Sequence, residues 1–186
     1  IMFVGQRIRW INKSKDGAHI CIDQEQKVEE LTEIEFDRSA RLDLALSPDM
    51  HRQYRSVLGQ INWLQSRTQF QSCYSFSRCA SAASKPTISD VREINKLVRM
   101  IRHTRVDLKV WPLKGICRLL GYPDASYKNN ADSSSKRGQC IFIAEPRSSK
   151  TINPRGSLVD YESQKIKRTT LSTTVAELYA LMKCFG

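Results

Sequence analysis

The chain has 186 residues, 40% hydrophobic and 26% charged, an ordinary globular composition that excludes wholesale disorder. No run approaches the roughly 18 consecutive apolar residues of a membrane span, and residues 1–10, interrupted by Gln6, Arg7 and Arg9, do not make a signal peptide. The net charge of +11 divides into −3 over residues 1–50 and +14 over residues 51–186. That excess favours a polyanion such as nucleic acid as partner; the competing readings are a soluble basic surface or one that neutralises an acidic neighbour.

Residues 2–11 are apolar and β-rich, and residues 18–23 contain the alternating His19-Ile20-Cys21-Ile22. The stretch between them ends in the turn signal Asp16-Gly17, so a hairpin is predicted. Val28, Leu31 and Ile34 stand at three-residue steps and predict a short helix over 25–36. Residues 37–50, with Pro48, read as a connection.

Three helices follow. Tyr54, Val57, Leu58, Ile61 and Leu64 form the stripe of the first, where Gly59 lowers helix propensity and offers room for close packing. Residues 71–83 carry a weaker pattern of Tyr74, Phe76, Cys79 and Ala82, ended by Pro86. The third helix covers about 87–104, with Ile88, Val91, Ile94, Leu97, Val98 and Ile101 on one face. Arg92, Lys96, Arg99, Arg102 and Arg105 crowd the remainder. Such a helix can track a phosphate backbone; the alternative is a solvated face over an ordinary core stripe.

The period then changes. Residues 108–113, 117–122, 139–144 and 157–162 are strand candidates, separated by turn-rich stretches at 129–137 and 146–156. Pro112 assigns the first an edge or terminal place. Residues 172–185 return to helix, with Leu171, Val175, Leu178 and Met182 on one side. A boundary between 104 and 110 separates a strand pair with helices from strands followed by a helix, an α/β arrangement.

Six cysteines and three histidines lie too far apart in sequence for a zinc set and read as buried or incidental thiols, with disulfides left open. Two acids bear on chemistry. Asp124 follows an apolar run and is placed near a strand's end; Glu177 lies early in the last helix. Carboxylates from a strand and a neighbouring helix begin the oxygen cluster that two Mg²⁺ ions need for phosphodiester cleavage. The competing explanations are a turn at Pro123-Asp124-Ala125-Ser126 and a capping box, Thr174 with Glu177.

Tyr54-Arg55-Ser56-Val57-Leu58-Gly59-Gln60-Ile61-Asn62-Trp63-Leu64 resembles a motif beyond the polymerase palm in copia-type retrotransposon Pol polyproteins. Phe3-Val4-Gly5 resembles the strand after the polymerase's catalytic acids, and residues 86–101 resemble the helix leading toward RNase H. Gly121-Tyr122-Pro123-Asp124-Ala125-Ser126 is similar to the opening of the RNase H domain, and residues 138–144 to its next strand. Ser163-Gln164-Lys165-Ile166-Lys167-Arg168 and residues 171–181 resemble the stretch leading into its first helix. The ordered resemblance spans nearly the whole chain.

It implies an α/β fold: a polymerase-derived hairpin and helical connection followed by an incomplete RNase H-like sheet and helix. The implied parts are a palm-like end (1–50), a basic thumb or connection (51–107) and the N-terminal part of an RNase H-like domain (108–186). Asp124 and Glu177 then match the first two catalytic, metal-binding acids, with Mg²⁺ as cofactor in an intact parent. The implied reaction is hydrolysis of RNA in an RNA–DNA hybrid, read by shape and 2′-hydroxyls.

Arg92, Lys96, Arg99, Arg102, Arg105, Lys165, Lys167 and Arg168 are the candidate nucleic-acid contacts. The implied partners are nucleic acid and the remaining Pol segments, not a membrane, in a cytoplasmic element particle or the nucleus. Ser126 stands where such sequences often have a second Asp and is given no metal role; Tyr161 replaces an expected Trp. Ends at Ile1 and Gly186 suggest an excised, catalytically incomplete chain. The alternatives are a non-enzymatic basic nucleic-acid-binding protein and a structural relic of a decayed retroelement.

Overall fold

A computed structural model describes residues 1–11, 17–113, 115–128, 134–146, 155–168 and 170–185. The expected turns at 12–16 and 147–154, and most of that at 129–137, lie outside the described residues. The fold is mixed α/β, with two small antiparallel sheets and several helices. Two compact units divide it: unit 1 holds residues 1–3, 7–22 and 108–186, and unit 2 holds residues 4–6 and 23–107. No helix among the described residues is long and apolar enough to cross a membrane.

Unit 2 is helical: α1 (Glu25–Glu29), α2 (Pro48–Gln65), a 3₁₀ turn (Phe70–Ser72), α3 (Cys73–Ser81) and α4 (Ile88–His103). The capping Thr87 starts α4: Asp90 Oδ2 accepts from the Thr87 amide at 2.8 Å and from its hydroxyl at 2.7 Å. Val91, Ile94, Leu97, Val98 and Ile101 are buried against Tyr54, Val57, Ile61 and Leu64 of α2 and against Val28, Leu31 and Ile34. Each such side chain contributes about 1.5–3 kcal/mol of transfer free energy, which makes α4 the axis of this core.

The helix expected over 25–36 stops at Glu29. Buried Asn95 explains the difference: its Oδ1 accepts from the Ile34 amide and its Nδ2 donates to the Ile34 carbonyl, both at 2.9 Å. Those bonds replace the helical pairing of Ile34, while Leu31 and Ile34 stay buried. Pro48, assigned to a connection, instead opens α2; Ser47 caps it by accepting from the Met50 amide at 3.3 Å. Gly59 does not serve close packing, since a Cβ there would meet nothing within 4 Å.

Unit 1 carries β1 (Met2–Phe3), β2 (Gln6–Ile11, its first residue in unit 2), β3 (His19–Asp23, its last residue in unit 2) and β4 (Leu108–Val110), in that order in one sheet. Left-handed backbone at Val4 (φ 46°) and Gly5 (φ 70°) turns the chain where one strand was expected over 2–11. β4 ends at Val110 because the Trp111 amide turns to Ser157 Oγ at 2.9 Å and Pro112 has no N–H. The second sheet is β5 (Arg118–Ser126), β6 (Lys136–Ala144) and β7 (Gly156–Lys165), paired antiparallel in that order.

The closing helix, α5 (Thr173–Phe185), packs on β5 and β6. It does not bury the stripe expected of it. Ala176, Ala180 and Cys184 are buried, whereas Leu171 and Met182 are 85% and 62% exposed, and Val175, Leu178 and Phe185 are exposed too. The reason is close approach: a Cβ on Gly121 would lie 2.6 Å from Cys184 Sγ and 2.7 Å from the Phe185 ring, so the absence of a side chain there lets the end of α5 come close to β5. All six cysteines are free thiols.

Asn95→Ala is expected to destabilise unit 2 by about 2–3 kcal/mol, because two buried backbone groups lose their partners; urea denaturation measures it. A second expectation concerns alkaline pH. Burial pushes the Cys79 thiol up to about 11 and raises the Tyr54 phenol, whose hydroxyl donates to the Cys79 carbonyl at 2.8 Å. The folded chain holds both groups neutral. Unfolded thiol ionises from its ordinary 9.0, so stability is full below that value and falls as pH climbs toward 11. The loss expected at the upper end is about 1–2 kcal/mol, and Cys79→Ala should remove most of it.

Candidate nucleic-acid interface and acidic pair

β-pairing brings one end of the second sheet together row by row. Ser126, Lys136 and Lys165 are cross-strand partners; so are Ala125, Arg137 and Gln164, and then Asp124, Gly138 and Ser163. The chain leaves the sheet here through Tyr127-Lys128 and Ile166-Lys167-Arg168. Lys128, Lys165, Lys167 and Arg168 are exposed. Lys128 Nζ lies 5.2 Å from the Tyr127 ring centre and the Arg168 guanidinium 5.7 Å from that of Tyr179. Cations beside aromatic faces suit phosphates and bases together. Two further bases contribute field rather than contact: Lys136 is buried, and Arg137 is paired with Glu162 at 2.7 Å.

Ser135 ties this end. Its hydroxyl lies 2.7 Å from Thr170 Oγ1 and accepts from the Lys128 amide at 3.1 Å, while its carbonyl accepts from the Ile166 amide at 2.9 Å. Ser135, Ile166 and Thr170 are all buried. One residue therefore fixes the segments carrying Lys128, Lys165, Lys167 and Arg168, together with the approach to α5.

Glu177 is not the capping residue that Thr174-x-x-Glu177 predicts. Ser172 caps α5: its Oγ accepts from the Val175 amide and its carbonyl from the Ala176 amide, both at 3.2 Å. Glu177 therefore lies beyond the first turn, exposed beside buried Ala176. Asp124 is exposed within β5 and is not in a terminal turn. Both acids belong to unit 1 and to elements that touch. Gly121 faces α5, and the one-to-one register through Ser126 turns Asp124, three residues on, to the other face. Asp124 thus leaves β5 on the face away from α5, the helix that carries Glu177. Nearby Ser126 Oγ is buried with no hydrogen-bond partner among the described residues.

The bases of α4, and Arg105 just after it, are largely engaged within unit 2. Arg99 pairs with Glu33, and Arg105 with Glu25 and, at 3.2 Å, Glu29. Lys96 pairs with Glu93 at 2.6 Å, and Arg92 donates to the Arg38 carbonyl at 2.8 Å. Folding thereby redistributes the charge seen along the sequence. Unit 2 holds 13 Lys and Arg against 12 Asp and Glu, a net +1; unit 1 holds 17 against 7, a net +10.

Lys165, Lys167 and Arg168 thus stand in the strongly basic unit, and Arg92, Lys96, Arg99 and Arg105 in the nearly neutral one. Sequence reading missed Lys128, Tyr127, Tyr179 and Ser135. Starting β6 at residue 139 rather than Lys136 hid the row that joins Lys136 to Lys165. Ser135→Ala is expected to cost about 1–3 kcal/mol through the orphaned Thr170 and Lys128 groups, measured by thermal or urea unfolding, with Ser135→Thr retaining part of the stability. No protein-family model matches the chain, and no curated protein or solved structure matches it.

Proposed function

We propose that the chain is part of a copia-type retroelement Pol polyprotein, joining the end of a reverse transcriptase to the start of an RNase H-like domain. Its own biochemical part in this reading is to hold nucleic acid, with an RNA–DNA hybrid as substrate of the whole polyprotein. The observation that carries the reading is the sheet end where Lys128, Lys165, Lys167 and Arg168 are exposed beside Tyr127 and Tyr179, within a unit of net charge +10. The order of motifs along the chain supports the family, and the antiparallel β5-β6-β7 sheet followed by α5 agrees with the order that the resemblance implies.

Asp124 and Glu177 enter the proposal as two acids of a hydrolytic centre belonging to the polyprotein. Ser172, not Glu177, caps α5, and Glu177 is exposed beyond the first turn. Hydrolysis by this chain alone does not follow, because two carboxylates do not complete the oxygen cage of two Mg²⁺ ions. The net charge of +10 on unit 1 favours a second reading, a basic nucleic-acid-binding protein without catalysis.

The test is binding of a labelled RNA–DNA hybrid across a salt series. Lys165→Gln/Lys167→Gln/Arg168→Gln is expected to weaken binding about tenfold or more at low salt. The log–log salt slope should flatten by about 2–3, since each lost phosphate contact removes roughly 0.9. An unchanged affinity and slope would remove the sheet end as the interface. Mg²⁺-dependent cleavage of the hybrid, abolished by Asp124→Asn, would instead establish a self-sufficient nuclease.

A further inference from the structure

The ion pairs of unit 2 have an arrangement that surface salt bridges do not require. Glu25, Glu29 and Glu33 stand at four-residue steps, and they meet Arg99 near the end of α4 and Arg105 just beyond it. Arg102, between those two, is exposed and has no acidic partner among the described residues. Arg99, Arg102, His103 and Arg105, with Glu29 and Glu33, line a cavity of about 340 Å³.

The acids are not placed by these pairs. Val28, Leu31 and Ile34 are buried in the core, and Asn95 holds both backbone groups of Ile34. Pairs this exposed, with Arg99 and Arg105 at 49% and 53%, contribute little to stability. Their consequence is electrostatic: three carboxylates occupy the neighbourhood that phosphates would take on a row of arginines. Without them, unit 2 would carry +4 instead of +1.

We propose that Arg99, Arg102 and Arg105 form a second binding face for the phosphodiester backbone of nucleic acid, and that Glu25, Glu29 and Glu33 are a built-in competitor that keeps it closed. The ligand class rests on the function proposed above; the competition rests on the ion pairs themselves. The carboxylates present oxygens to the same guanidinium forks that bind phosphate. An anionic strand must displace them or fill the adjoining cavity.

The test uses the 186-residue chain and a fluorescent RNA–DNA hybrid of mixed sequence, read by anisotropy from about 50 to about 200 mM salt. Glu25→Gln/Glu29→Gln/Glu33→Gln is expected to raise affinity about tenfold or more at the low end and to steepen the salt slope by about 2–3. Adding Arg99→Gln/Arg105→Gln to that variant should return both quantities to the parent's. A triple variant that binds with the parent's affinity and slope overturns the proposal. Far-UV circular dichroism checks folding. Should the triple variant unfold, Arg99→Gln/Arg105→Gln in the parent decides: unchanged binding is expected of a closed face, and weakened binding overturns it. The Lys165, Lys167 and Arg168 variant reports on the sheet end separately, so either face can fail while the other stands.

Discussion

Asn95 lies in the middle of α4 with its amide turned inward, and both ends of that amide are spent on the backbone of Ile34. An irregular segment can lie on a hydrophobic core only if its amides and carbonyls find partners there. Asn95 supplies them from a helix whose own backbone is already satisfied. Much of unit 2 depends on this. It keeps Leu31 and Ile34 in the core, and the acids at 25, 29 and 33 follow as passengers on that segment. Opposite charges separated by more than 60 positions thereby become neighbours, as Arg99 and Glu33 are.

The same contact explains which parts of the fold were legible. α4 could be read because its apolar spacing is regular and Thr87 and Asp90 mark its start. The segment after Glu29 has helical spacing too, but spacing cannot reveal a competing hydrogen-bond partner 61 residues away. The error at α5 has another origin. Leu171, Val175, Leu178 and Met182 make the larger stripe, and size normally marks the buried face. Here backbone proximity decides instead: Gly121 lets Cys184 and the Phe185 ring come close to the sheet, and Ala176 and Ala180 are buried on the same helix. The strands of the second sheet ran longer than expected, since Lys136, Arg137, Gln164 and Lys165 pair across β6 and β7 without any apolar alternation.

Legibility of the candidate site divides along similar lines. Lys165, Lys167 and Arg168 are consecutive enough to be seen in one dimension, and they are exposed. Lys128 and Ser135 belong with them only through β-register and three hydrogen bonds, which no local pattern records. For α4, the positive face was plain but its occupants were not, because they come from the acidic first quarter of the chain. Glu177 was obscured by a nearby hydroxyl: three residues with capping side chains stand in a row, and Ser172, the first, takes the role.

Two bodies of net charge +10 and +1 respond differently to their solvent. Dissolved electrolyte shortens the Debye length to about 8 Å at physiological strength. In unit 1 such screening relieves self-repulsion and favours compactness; in unit 2 it erodes attraction between opposite signs. Dissolved salt therefore acts in opposite senses on the electrostatics of the two bodies.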